Sequence, residues 1–183
     1  MDVEKLVRRM RRKRLFEIGE GAEQVKLGRD AIKQMIPHRE PFLLLDQIDT
    51  VDLSQVAMIA RRTIDPSDPI LQGHFPGDPV YPGALLLEML GQAMLCLNHL
   101  NNLGRTTVFP EDRPRPVRLM KLYHALFLAE VRPDEEIELL VQKIDGGEYT
   151  LTCAGQVCKG DAICTVTVME VYLVEEETER SAL

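Results

Sequence analysis

An α+β fold in which one antiparallel sheet curls around a single helix is predicted by three features of the sequence. Two stretches of strand character, FLLLDQIDTVDL and QVAMIARRTI, precede a loop dense in proline and glycine. ALLLEMLGQAMLCLNHL comes next, apolar nearly all the way round, which marks a helix buried in a core. Four more strand-like stretches come after it, with no internal repeat and no linker to a second domain. At 183 residues and 45% hydrophobic, the chain can bury one core and is short for two full domains.

In VEKLVRRMRRKRLFEI, Leu6, Met10 and Val3 share a face amid dense positive charge, predicting a short amphipathic helix. Gly19, Gly21 and Gly28 loosen the next stretch, and Asp30 to Met35 supports one or two helical turns before Pro37. The strands from Phe42 and from Gln55 flank a turn at Asp52 to Ser54 and read as antiparallel neighbours. The prolines of IDPSDPILQGHFPGDPVYPG forbid regular structure and predict a stiff loop. Pro82 suits the first turn of the long helix, which runs to about Asn101 or Gly104. FPEDRPRPVRL leads into the strands KLYHALFLAEV, EEIELLVQKID, EYTLTCAGQVCK and AICTVTVMEVYLV, with turns at Gly146-Gly147 and Gly160-Asp161. The expected organisation is a basic helical extension over 1–34, a main domain over 35–173 and a frayed acidic tail over 174–183.

The net charge of -7 argues against nucleic acid as a partner, since phosphate neutralisation needs surplus Lys and Arg. The first fourteen residues nonetheless hold Lys5, Arg8, Arg9, Arg11, Arg12, Lys13 and Arg14 against Asp2 and Glu4, a local +5. Gly19, Glu20, Gly21 and Glu23 stand where a secretory signal would be apolar, and Glu88 interrupts the best apolar run, so neither export nor a membrane span is expected. The expectation is a cytoplasmic protein. Cys96, Cys153, Cys158 and Cys164 lack paired metal-ligand spacing, and a core of this size needs no disulfide, so reduced thiols and no metal are expected.

The candidate chemistry lies in QGHFPGDPVYPGALLLEMLGQA, residues 72–93. A carboxylate on a buried helix must be paired or have its pKa raised, so Glu88 is a candidate acid near neutral pH. His74 titrates in the physiological range and can accept a proton when neutral. Free N–H groups at the helix start, around Gly83, can hold a developing oxyanion. Base, acid and oxyanion site together suit removal of a proton beside a carbonyl with expulsion of a β-substituent. The plainer alternatives are a structural His beside Gly and Pro, and a Glu reaching an edge. Gln92, one turn beyond Glu88, either bonds its carboxyl group or is a satisfied buried amide.

GHFPGDPVYPGALLLEMLGQA closely resembles the corresponding motif of the FabZ-type 3-hydroxyacyl-[acyl-carrier-protein] dehydratases. IPHREPFLLLDQI and HALFLAEVRPDEEIEL resemble further segments of that family, in its order, so that Met35 to Tyr172 is covered. The resemblance implies a hot-dog fold, a curved antiparallel sheet wrapped around a long central helix. It also implies dehydration of a 3-hydroxyacyl thioester to a trans-2-enoyl thioester without a cofactor. In that resemblance His74 and Glu88 are the catalytic pair, Gly83 supplies the N–H for the thioester carbonyl, Gln92 supports, and Phe75, Tyr81 and Leu85 line the substrate tunnel. Glu88, rather than aspartate, favours simple dehydration over the FabA-type reaction that also isomerises.

Glu88 lies about six residues into the helix, or roughly 9 Å at 1.5 Å per residue, while His74 stands before the loop. In the family the pair meets across a dimer interface, which implies a homodimer with shared sites and allows a trimer of dimers. The partner implied is an acidic acyl carrier protein bearing a phosphopantetheine-linked chain. The N-terminal basic helix and the group Arg113, Arg115, Arg118 and Lys121 are candidate docking surfaces for it. Tyr81, Leu128 and Ala129 depart from residues common in the family. A hot-dog thioesterase and a non-catalytic acyl-binding subunit are the competing readings.

Overall fold

A computed structural model describes residues 2–115, 117–147 and 149–174. Seven strands form one antiparallel sheet: β1 (Glu23–Gly28), β2 (Gln47–Asp52), β3 (Ala57–Thr63), β4 (Val117–Phe127), β5 (Glu136–Gly146), β6 (Thr150–Lys159) and β7 (Ala162–Leu173). Their order across the sheet is β1-β2-β3-β5-β6-β7-β4. The helices are α1 (Val3–Met10), α2 (Arg29–Met35), α3 (Pro69–Gly73) and α4 (Gly83–Leu103).

The 21-residue α4 lies against β5, β6, β7 and β3, with Leu86, Met89, Leu90, Ala93, Leu97 and Leu100 in the main core. Gly155 of β6 permits this approach, because a Cβ there would stand 2.8 Å from Met94 Cε and 3.2 Å from Leu90 Cδ1. By length and apolarity α4 could cross a membrane, yet 67% of its most apolar window is buried within the protein, as a core helix requires. The curled sheet around one central helix is the hot-dog fold.

The opposite face of the sheet is covered by the N-terminal segment. Val7, Met10 and Leu15 form a second cluster with Ile59, Leu140, Ala154, Val166 and Val168. Buried Gln156 of β6 ties it down, donating to the Met10 and Lys13 carbonyls at 2.7 and 2.9 Å and accepting from Leu15 N–H at 2.9 Å. The helix expected over 3–18 therefore stops at Met10: a run of cations disfavours continuation, and Gln156 takes carbonyls that further turns would use.

Other boundaries also differ from the sequence reading. The extension expected over 1–34 is no appendage, because β1 pairs with β2 as the sheet's edge strand. Its Val25 and Leu27 are only partly buried and gave too short an alternation to see. The strand expected from Phe42 begins at Gln47, since Phe42 and Leu44 spend backbone groups on the side chain of Gln92. The proline-rich loop holds the short helix α3, with Pro69 in its first turn and the Asp68 side chain capping Ile70 N–H at 3.0 Å. β4 starts at Val117, four residues before the expected Lys121. The acidic tail, apart from Val174, lies outside the described residues.

All four cysteines are buried free thiols, and burial pushes Cys153 up to about 12.

Candidate active site

His74 is the C-cap of α3, its N–H bonded to the Ile70 carbonyl at 3.1 Å. The loop after it closes on itself: Val80 N–H donates to the His74 carbonyl at 2.9 Å, and His74 Nδ1 stands 2.8 Å from the Val80 carbonyl. A carbonyl only accepts, so Nδ1 carries a proton, and in the neutral ring Nε2 is then the nitrogen with the lone pair. Gly77 turns the loop at φ 81, and Arg132 pins Asp78 at 2.6 Å. The Phe75 ring stacks on the imidazole with centroids 4.1 Å apart. His74 lines a cavity of about 510 Å³ with Tyr81, Gly83, Ala84, Leu87, Phe127 and Leu128.

Gly83 opens α4 behind Pro82, which supplies no capping side chain; the Pro82 carbonyl accepts from Leu85 and Leu86 N–H, so the Gly83 and Ala84 N–H groups at the cavity's end of the helix are the ones left without an intrahelical acceptor. A Cβ at Gly83 would stand 2.6 Å from the Phe127 ring, the close approach that calls for glycine.

Glu88 lines a second cavity, of about 520 Å³, whose walls are mostly Leu87, Leu95, Val117, Leu119, Leu122, Met169 and Val171. Gln92 fixes it: the amide is buried, donates to Glu88 Oε1 at 2.9 Å and to the Phe42 carbonyl at 2.8 Å, and accepts from Leu44 N–H at 2.9 Å. Every hydrogen-bonding direction the amide needs for Glu88 is thereby set by the backbone of residues 42–44. His38 Nε2 lies 3.4 Å from the same Oε1. Burial pushes the His38 imidazole below its ordinary value, with Glu88 pulling up and Arg39 pushing down. His38 escaped the sequence reading although its segment carried part of the resemblance, because its approach to Glu88 exists only once residues 36–45 fold across α4.

Within one chain His74 and Glu88 do not meet. They face separate cavities on either side of a ridge made by Ala84 and Leu87, and the Glu88 side chain keeps 32% exposure rather than the full burial its helix suggested. Of the three expected tunnel residues, Tyr81 lines the His74 cavity, whereas Phe75 points outward and Leu85 packs against the core, so neither lines it. The Tyr81 hydroxyl is buried without a partner among the described residues, and burial pushes it up to about 12. Arg118 borders the Glu88 cavity, Lys121 sits 4.2 Å over the Tyr123 ring, and Arg113 and Arg115 flank a smaller recess. Both cavities are rimmed by exposed apolar side chains of the edge strand β4, among them Leu119 at 64% and Phe127 at 54%.

The hot-dog domain thus holds a histidine on a pinned loop and a carboxylate on its central helix, each facing its own cavity. Residues 36–175 match the FabA-like domain family, and the chain belongs to it. Among curated relatives, a protein of Sulfurimonas denitrificans named 3-hydroxyacyl-[acyl-carrier-protein] dehydratase FabZ is 29% identical over 147 residues, covering 79% of this chain and 95% of that one. The protein of the same name from Chlamydia trachomatis serovar L2 is 36% identical over 118 residues, covering 64% of this chain and 72% of its own. Among solved structures, a chain of the dehydratase heterocomplex ApeI:P from Xenorhabdus doucetiae superposes with a TM-score of 0.64 at 15% identity, covering 79% of this chain and 91% of that one. At that identity the likeness speaks for the fold.

Proposed function

We propose that this chain is a 3-hydroxyacyl-[acyl-carrier-protein] dehydratase that forms trans-2-enoyl thioesters, working as a homodimer in which His74 of one protomer meets Glu88 of its partner. The observation that carries the reading is the division of base and acid between two open cavities, each rimmed by the unpaired edge of β4. A partner protomer covering that apolar rim would exclude water and bring the halves together. The FabZ names of the relatives supply the substrate class.

In the reaction, His74 Nε2 takes the C2 proton, and charge on the thioester oxygen is met by the N–H groups at the start of α4, Gly83 first. The C2–H electron pair becomes the second bond of C2=C3 as C3–O breaks, and Glu88 protonates the departing hydroxyl to give water. Gln92 donates to Glu88 Oε1 and His38 Nε2 stands beside the same oxygen, so Oε2 is the oxygen left to face the departing hydroxyl. His38 and Gln92 are thus positioning residues for the acid. The apolar Glu88 cavity accommodates the acyl chain, with Tyr81 beside His74. Arg113, Arg115, Arg118 and Lys121 form a basic fringe for an acidic carrier protein in the cytoplasm.

The purified protein is incubated with 3-hydroxyacyl carrier protein while enoyl absorbance and free thiol are followed together. Enoyl without thiol is the expected result. Thiol release would mean a thioesterase, and neither signal would leave an acyl-binding subunit.

A further inference from the structure

The face of α4 that lines the Glu88 cavity does not end where the cavity does. Ala84, Leu87, Glu88, Gly91, Gln92 and Leu95 follow one helical stripe, and the next turns of that stripe bring Asn98, His99 and Asn102. These three line a recess of about 120 Å³ that shares Pro37, Leu95 and Val117 with the Glu88 cavity. From Glu88 to His99 the helix advances roughly 16 Å at 1.5 Å per residue. An extended ligand with its reacting carbons at Glu88 can therefore reach into the recess where Asn98, His99 and Asn102 gather.

The recess mixes the apolar walls Met35, Pro37, Leu95 and Leu103 with polar groups, and positive charge stands at its mouth. Asp112 is already engaged, accepting from Arg105 at 2.6 Å and from Phe109 N–H at 2.8 Å. Among the described residues Arg113 Nη1 donates to the Pro110 and Asp112 carbonyls and meets no carboxylate, Arg115 makes no ion pair or hydrogen bond, and His99 Nε2 is buried without a partner. A methyl-ended chain would offer this nitrogen nothing, whereas a carboxylate or phosphate would accept from both guanidinium groups and from His99 Nε2 in the tautomer that carries its proton there.

We propose that the recess lined by His99, Arg113 and Arg115 is an anion subsite for the charged end of the thioester substrate. The inference rests on the dehydratase reading and specifies it: the chamber at Glu88 is followed by a site for a carboxylate or phosphate oxyanion. That oxyanion has two sources, a terminal carboxylate on the acyl chain or the phosphate of the pantetheine arm, and the chemistry of recognition is the same for both.

The test uses the full chain and two matched substrate pairs. One pair is N-acetylcysteamine 3-hydroxyacyl thioesters of equal length ending in methyl or carboxylate. The other is 3-hydroxybutyryl pantetheine with and without its phosphate. In the wild type, the charged member of one pair should be favoured in kcat/KM by roughly tenfold, the effect of a charge-assisted hydrogen bond, and a preference for the uncharged member would overturn the inference. Arg115→Gln and His99→Gln should each bring that ratio towards one. A preference in the first pair assigns the site to the chain end, and in the second to the arm. Ratios near one in both pairs, or a preference retained in both variants, overturn the inference while leaving dehydration intact. Should no thioester turn over, the dehydratase reading fails and inorganic phosphate decides the subsite alone. A saturable shift of the His99 ring proton resonances, absent in His99→Gln, supports it, and an unshifted ring overturns it.

Discussion

Replacing Gln92 by leucine tests the scaffold and the chemistry with one change of nearly equal volume. The buried amide is a strut between α4 and the segment leading into β2, and its removal strands Leu44 N–H in the interior and leaves the Phe42 carbonyl without its donor. A buried backbone group left unpaired costs about 1–3 kcal/mol, and the Phe42 carbonyl, within reach of water, falls at the low end. Leucine returns about 1 kcal/mol of apolar burial, so the net loss is about 1–3 kcal/mol. For a chain of this size that lowers Tm by roughly 2–12 °C. Glu88 also loses the donor on Oε1, so kcat should fall roughly tenfold or more. Thermal unfolding followed by circular dichroism and steady-state enoyl formation read the two effects. Gln92→Glu separates them, since its carboxylate still accepts from Leu44 but donates to nothing. A Gln92→Leu protein with unchanged Tm would refute the strut, and one with lowered Tm but full kcat would refute the positioning of Glu88.

His38→Asn should lower kcat by about fivefold to tenfold with KM little changed, because the lost contact is to the acid and not to the bound chain; equal effects on both constants would contradict that role. Asp46 carries a pH dependence. Burial pushes its carboxyl up, but Thr63 N–H, Arg29 and Arg62 outweigh burial and hold it below the ordinary value. A carboxylate so depressed stabilises the fold above its unfolded value of about 4 and loses that contribution as pH falls through the folded value. The stability difference between wild type and Asp46→Asn should therefore be constant above that range and shrink below it; a difference that grows on acidification would contradict the pairing. Gln156→Leu should release the N-terminal segment, giving faster tryptic cleavage within residues 8–14 while the sheet is retained. Cleavage at the wild-type rate would show that apolar packing alone holds it.

Helix α4 and strands β5 to β7 were legible because their patterns are long and consistent with burial on one face or all round. β1 was not, since an edge strand with two half-buried side chains leaves almost no alternation. The strand expected at Phe42 to Asp46 looked regular in sequence, yet its backbone is partnered by an amide 48 residues away, which no local pattern can reveal. At the site, His74 and Glu88 stood out as polar residues in an apolar setting. His38 did not, because a histidine between proline and arginine gives no local hint of a carboxylate 50 positions along the chain. The resemblance implied that the pair meets across a dimer interface; within one chain His74 and Glu88 line separate cavities, with Ala84 and Leu87 common to both, which no local pattern shows.

The central claim is that the working site is made by two chains. Mixing unfolded His74→Ala and Glu88→Gln proteins in equal amounts and refolding them together gives half mixed dimers, each with one site that holds both an intact His74 and an intact Glu88. By the two-fold symmetry of such a dimer, dehydration should recover to about a quarter of the wild-type rate, from homodimers that are each inactive. If base and acid instead act within a single chain, no mixed dimer holds a complete site and activity stays at the level of the separate variants.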